Sequence, residues 1–365
     1  MSDLGYVQNT WYVAGFSAEF PKGKLIGHRI TDKPIVMWRD DSGKVVAFDD
    51  RCPHKRMPLS AGRLLDNGTV ECAYHGFCFN GSGKCVSIPA LPEGGIPPKA
   101  VLKPFPVVEQ DGVVWIWPGD PDKSRGSTPP RTPEFGDSNW YTVASDEPIF
   151  VKSNAQLLIE NILDISHFYP LHDGNIGDIS HSRIPVEVVE DVVDGQRRVM
   201  TIRKASNYHN PPYWQDWFGE VVDRVHTHQM LSPAALRVQL RCAAPGQLGS
   251  GQESGFILYH LCTPADGETH NWRWSISTKA GQHANDEART PLADKIAEGF
   301  LVVAGQDKWA LELQQQSFAY PDDGYEEVLI RSDRAMMIAR RILQDMQAAE
   351  KASDASASVR QSMPA

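Results

Sequence analysis

The sequence has 365 residues, enough for two ordinary domains with a core each. Hydrophobic side chains make up 41% and charged ones 22%, a globular balance, and no apolar run of about eighteen residues is present to span a bilayer. The formal net charge of −10, from 36 basic and 46 acidic side chains without a basic stripe, argues against nucleic acid as a partner.

The opening residues Met1 to Gly5 lack the basic and apolar regions of a signal peptide, so the cytoplasm is the expected compartment. Six cysteines are too few for a disulfide scaffold. Cys52, Cys72, Cys78 and Cys85 lie close together while Cys242 and Cys262 stand far off, and in a reducing compartment such clustering points to metal.

In chain order, residues 10–120 read as short strands, among them Trp11 to Ala14, Pro34 to Trp38, Lys44 to Phe48 and Val113 to Trp117. Asp41-Ser42-Gly43 and Asn80-Gly81-Ser82-Gly83 read as hairpin turns. An all-β domain is expected over 1–125, and the breaker-rich stretch from Pro118 to Pro133 reads as a linker. A second domain is expected over 135–350. Its first helix, 154–168, places Leu157, Leu158, Ile162 and Ile165 on one side. Strands follow at 184–192, 197–203, 234–242, 255–262 and 270–277. Asn207 to Trp217 reads as a loop in which Tyr208, Tyr213, Trp214 and Trp217 offer apolar faces and Pro211-Pro212 stiffens the backbone. A long helix, 291–317, opens at Pro291 and carries Phe300, Val303, Ala304 and Leu311 at helical spacing. A last helix is expected over 326–348, followed by a disordered tail, 351–365.

Two short ligand pairs stand in the first domain, Cys52-Pro53-His54 and Cys72-Ala73-Tyr74-His75. Each pair fits on one loop and contributes one thiolate and one imidazole. Zinc accepts two Cys and two His but is usually served by C-x-x-C and H-x-x-x-H groupings. One Cys and one His per loop suits a Rieske 2Fe–2S cluster, with both thiolates on one iron and both imidazoles on the other. A structural zinc site is the alternative. Cys78 and Cys85 fit neither pair and read as packed small hydrophobes.

Cys52-Pro53-His54-Lys55-Arg56 and Cys72-Ala73-Tyr74-His75-Gly76 resemble the Rieske domain of ring-hydroxylating oxygenases. With the opening Trp11-Tyr12-Val13-Ala14 and the closing Val114-Trp115-Ile116-Trp117-Pro118-Gly119-Asp120, the chain is most similar to the Rieske-type non-haem iron aromatic oxygenases that include vanillate O-demethylase, toluenesulfonate methyl-monooxygenase and dicamba O-demethylase.

A second metal set follows. Asn161, Asp164 and His167 are three apart, as on one helical face, and Pro170 is expected to break that helix so that His172 swings beside His167. Two histidines and a carboxylate on one face of an iron are the arrangement for O₂-activating Fe(II). The resemblance places the carboxylate on the late helix, where Asp307 shares the inward stripe and would need a cation to relieve its burial. Unrelated histidines and an Asp307 paired with a Lys or Arg are the alternatives.

The resemblance implies an α+β fold: an all-β Rieske domain followed by an antiparallel-sheet catalytic domain with helices enclosing a mononuclear Fe(II). It also implies a homotrimer in which Asp164, beside His167, meets His75 of the neighbouring subunit. No Rossmann fingerprint is present, so NADH is expected to act through a separate reductase or ferredoxin. The expected function is a terminal oxygenase that hydroxylates or dealkylates a small aromatic compound with O₂. Ring dihydroxylation, or a Rieske carrier fused to a ligand-binding domain, are the rival readings. Candidate substrate contacts are Asn161, Tyr213, Trp214, and His270, Trp272 and Trp274, which alternate onto one strand face.

Overall fold

The computed structural model describes residues 5–172, 174–283, 290–321 and 324–362, with side chains through residue 353. The chain divides into two compact units, one comprising Gln8–Arg131 and Thr263–Gly267, the other Met1–Val7, Thr132–Cys262 and Glu268–Ala365.

Three small antiparallel sheets build the first unit. One joins β1 (Tyr12–Phe16), β11 (Val113–Ile116) and β10 (Val107–Gln110). The second joins β2 (Ile26–Ile30), β3 (Lys33–Arg39), β4 (Val45–Asp49) and β9 (Pro104–Phe105), and the third β5 (Arg63–Leu64), β6 (Val70–Glu71), β7 (Cys78–Phe79) and β8 (Cys85–Ser87). The middle of β3 and all of β11 are buried on both faces, which is why they read as continuous apolar runs. The two turns share one device. Asp40 Oδ1 accepts from Ser42 N, Ser42 Oγ and Lys44 N, and Asn80 Oδ1 accepts from Ser82 N, Ser82 Oγ and Lys84 N. Gly43 and Gly83 take the positive φ that closes each turn.

The second unit is built on an eight-stranded sheet ordered β12 (Trp140–Ala144), β19 (His270–Lys279), β18 (Ser254–Pro264), β17 (Ala235–Ala243), β16 (Val221–Ser232), β15 (Gln196–His209) and β14 (Val186–Val193), with β13 (Ile149–Val151) also on β19. Among the described residues six helices accompany it: α1 (Ala155–Leu163), α2 (Phe168–His172), α3 (Ile179–Ser182), α4 (Pro212–Phe218), α5 (Leu292–Ser317) and α6 (Arg334–Ser362). Every residue of α1 except Asn161 is buried. Glu160 of α1 is therefore matched by Arg340 of α6, whose Nη2 and Nε lie 2.6 and 2.8 Å from the two carboxylate oxygens.

Three expectations need correction. The first helix ends at Leu163, not 168. The stretch expected as a loop over 207–217 is the end of β15 followed by α4, with Pro212 in the first turn, where its missing N–H has no intrahelical partner to lose. The last helix begins at Arg334, after a 3₁₀ turn at Arg331–Asp333, and continues to Ser362, past the expected end at 348. The end of the expected 351–365 tail lies outside the described residues.

Candidate metal centres and cavity

In the first unit the two Cys/His loops are built alike. Cys52 N donates to Met57 O and Arg56 N to Cys52 O. Twenty residues on, Cys72 N donates to Phe77 O and Gly76 N to Cys72 O. The residue four after each cysteine has positive φ, 58° at Arg56 and 70° at Gly76. A Cβ at Gly76 would come within 2.6 Å of Pro89, so glycine is required there by space as well as conformation. Both thiols are buried and adjacent, and burial foremost, then Cys72, pushes the Cys52 thiol up to about 11. Both imidazoles are exposed, with His54 Nδ1 and His75 Nδ1 converging to 3.2 Å. A sulfur pair beneath a nitrogen pair fits a Rieske cluster. Cys78 is buried with its Sγ 3.4 Å from Gly76 O, and Cys85 pairs across the ladder with Phe79.

The second unit brings His167, His172 and Asp307 together, with one ligand atom from each lying within 4.8 Å of the others. Nε2 of His172 and of His167 lie 3.1 and 3.6 Å from Asp307 Oδ1. The outer nitrogens have acceptors of their own: His172 Nδ1 donates to Gln306 Oε1 at 2.8 Å, and His167 Nδ1 faces Asp164 Oδ2 at 3.7 Å. Both rings thus present Nε2 inward, the way a metal-bound histidine is held. Asn161 Nδ2 donates to Asp307 Oδ1 at 3.1 Å, while Asn161 Oδ1 is buried without a partner. Burial opposes ionisation of Asp307, but His172, His167 and Asn161 outweigh it and hold the carboxyl below its ordinary value. Two nitrogens and one carboxylate oxygen form the donor set of a non-haem Fe(II) site, and these residues fit one.

The hinge that makes this possible is not Pro170. Asp164 leaves the helix with φ −85° and ψ 114°, and its carboxylate accepts from Ser166 N at 2.7 Å. His167 O then accepts from Leu171 N at the start of α2, leaving Pro170 in the first turn of that short helix. Asn161, Asp164 and His167 are therefore not on one helical face. The sheet and α4 fix the ligand segment by its carbonyls: from the sheet His228 Nδ1 on Ile162 O, Thr201 Oγ1 on Leu163 O, Arg203 Nη1 on Ile165 O and Arg224 Nη2 on Ile176 O, and from α4 Trp214 Nε1 on Asn175 O.

His167, His172 and Asp307 open on a cavity of about 80 Å³. Phe168, Val238, Leu258 and Phe300 give it apolar walls, and Tyr213, Trp214 and Trp217 of α4 also line it. Gly299 of α5 leaves room for the Tyr213 hydroxyl, which a Cβ would meet at 1.3 Å. His270, Trp272 and Trp274 do share one face of β19, but they do not line the cavity. Trp272 stacks on His260 at 5.5 Å and Trp274 packs on Phe300 at 5.0 Å, which puts both one layer behind the wall, while His270 Nδ1 donates to Ser153 O. His226, His228 and His260, which the sequence offers only as surface or pocket residues without a ligand pattern, also line the cavity. The first two are i, i+2 on β16, whose period of two puts both on one face.

Comparison with known proteins gives two family matches. The Rieske [2Fe-2S] domain matches residues 10–106, and the vanillate O-demethylase oxygenase C-terminal domain matches residues 151–349. The iron-sulfur subunit of a toluene-4-sulfonate monooxygenase system from Comamonas testosteroni is 30% identical over 339 residues, covering 87% of this chain and 90% of that protein. The crystal structure of dicamba monooxygenase bound to dicamba superposes with a TM-score of 0.83 at 27% identity, over 95% of this chain and 99% of that one. Dicamba monooxygenase with non-haem iron and dicamba gives 0.78 at 26% identity, over 97% and 100%.

Proposed function

The chain belongs to the Rieske-type non-haem iron oxygenases, as an oxygenase component, and on that premise we propose that it monooxygenates a small aromatic compound, with O- or N-dealkylation as the favoured outcome. The observation that carries this reading is a 2-His-1-carboxylate set opening directly on an aromatic-walled cavity. Cys52, Cys72, His54 and His75 hold the 2Fe–2S cluster, and His167, His172 and Asp307 hold the mononuclear iron. When bound, the cluster passes on single electrons and the iron activates O₂ for insertion of one oxygen atom.

The chain's own residues do the rest. Asp164 and Gln306 fix the ring orientation of the two histidines, and Asn161 fixes the carboxylate. Phe168, Val238, Leu258 and Phe300 exclude water, while Tyr213 and Trp214 add aromatic surface to the wall against which an arene would pack. A substrate alkyl carbon hydroxylated next to O or N yields a hemiacetal or hemiaminal, which sheds an aldehyde. The domain roles follow: 1–125 carries the cluster and 135–350 the iron.

Electrons come from NADH by way of a separate reductase or ferredoxin. The working assembly is a homotrimer in which Asp164 bridges His167 to the partner's His75; the exposure of His75 and the partial exposure of Asp164 support it. No helix among the described residues is long and apolar enough to cross a membrane. Six free cysteines suit the reducing cytoplasm as the working compartment.

The test supplies a reductase, NADH, labelled O₂ and a panel of methoxylated, N-alkylated and unsubstituted aromatic acids. Aldehyde release with one labelled atom in the products is expected; a cis-diol carrying two would establish ring dihydroxylation instead. The purified protein is expected to be brown, with about three irons per chain, and Cys72→Ala to lose the cluster and its paramagnetic signal. Alanine at Tyr213 or Trp214 is expected to change substrate preference with both metal centres intact.

A further inference from the structure

The cavity wall on β16 carries two histidines whose protonation states are set by their outer neighbours. His228 Nδ1 lies 2.7 Å from Ile162 O, a group that only accepts, so that nitrogen carries the proton. Its Nε2 is buried and has no partner. His226 Nδ1 faces Arg224 Nη2 at 3.4 Å, a group that only donates, so Nδ1 is the bare nitrogen and the proton sits on Nε2. Both rings are uncharged: burial, then the Arg224 and Arg203 guanidinium groups, keeps His226 well below the ordinary imidazole value, and burial takes His228 down to about 3. The rings stand 5.6 Å apart on the same strand face, and both touch Phe168, whose ring lies 5.3 Å from that of His167. One donor and one acceptor thus sit side by side, one aromatic ring from the metal ligands.

We propose that His226 and His228 form a donor–acceptor pair specific for one neutral hydroxyl on the substrate ring, which accepts from His226 Nε2–H and donates to His228 Nε2. This deepens the functional reading above and rests on it: the aromatic substrate is a phenol. A methyl ether at that position accepts from His226 but leaves the buried His228 nitrogen unpaired. A carboxylate sets a second lone pair against that nitrogen. The specificity comes from the bare acceptor, which rewards only a group with a proton to give.

The test is ligand binding to the iron-loaded enzyme without reductant, by calorimetry, with 4-methoxyphenol, 1,4-dimethoxybenzene and 4-methoxybenzoate as probes. The phenol is expected to bind about 10- to 100-fold more tightly than the other two. Equal affinities, or tightest binding of the benzoate, would overturn the assignment, and neither result depends on a variant that must fold. In His228→Asn the side-chain amide N–H can still donate to Ile162 O while the acceptor at the Nε2 position is lost. That variant is expected to lose the preference for the phenol with its iron content unchanged; retention of the preference would also overturn the proposal. Because turnover is not measured, a failure here is distinct from a failure to release aldehyde.

Discussion

His172 donates its Nδ1 proton to Gln306 Oε1 at 2.8 Å, and Gln306 is the immediate chain neighbour of Asp307, which faces the same imidazole from its other side. One turn of α5 therefore supplies both a proposed iron ligand and the group that orients a second one. Gln306→Leu is expected to weaken iron binding about 10- to 100-fold, with the 2Fe–2S signal unchanged. Iron titration of the chelator-treated protein checks this, and an unaltered affinity would leave Gln306 without an orienting role.

Asp164 stands at the helix break, its carboxyl held below the ordinary value. Burial opposes that shift, but the His167 imidazole and Ser166 overcome it. Asp164→Asn is expected to keep both metal centres and the assembled state yet lose nearly all turnover. Single-turnover reduction of the cluster followed by slow reoxidation in the presence of O₂ and substrate would locate the defect between the two metals. Wild-type reoxidation rates in the variant would exclude the bridging role.

Glu160 and Arg340 are a buried pair linking α1 to α6, with Glu327 as a second carboxylate on the same guanidinium. Glu160→Ala leaves Arg340 short of its more buried partner and is expected to lower stability by about 3–5 kcal/mol. Replacing both Glu160 and Arg340 by methionine is expected to recover much of that loss. Denaturant midpoints of the three proteins measure the difference.

Buried histidines make the fold acid-sensitive. Burial takes His228 and His260 down to about 3 and His270 to about 4. An unfolded histidine titrates near about 6.5, so between that pH and about 4 the unfolded chain binds protons that the native one does not. Stability is therefore complete above about pH 7 and falls as the pH drops through this window. Unfolding curves at pH 7.5, 6 and 5 are expected to show the decline, and His270→Asn, which can keep the bond to Ser153 O, to reduce its slope.

The two Cys/His pairs were legible because their chemistry is local. Ligands two or three residues apart lie on one loop whatever the rest of the chain does, and the turn residues around them, Asp40 to Lys44 and Asn80 to Lys84, carry their own hydrogen-bonding instructions. The inward stripe of α5 was legible for a similar reason, since the 3.6-residue period of Phe300, Val303, Ala304, Asp307 and Leu311 is written in the order of the residues. The meeting of His167 with Asp307 was not local. It needs the chain to leave α1 at Asp164, a residue with no breaker character, and what selects that exit is a set of donors on distant strands: Thr201, Arg203, Arg224 and His228 acting on the carbonyls of the ligand segment. The cavity was decided at the same level. Whether a tryptophan on β19 faces substrate or stands behind His260 and Phe300 depends on which element covers that strand, and a strand's own alternation tells only which residues share a face. Local spacing thus determined the two Cys/His pairs, and packing between elements far apart in the chain decided that His167, His172 and Asp307 meet and what they face.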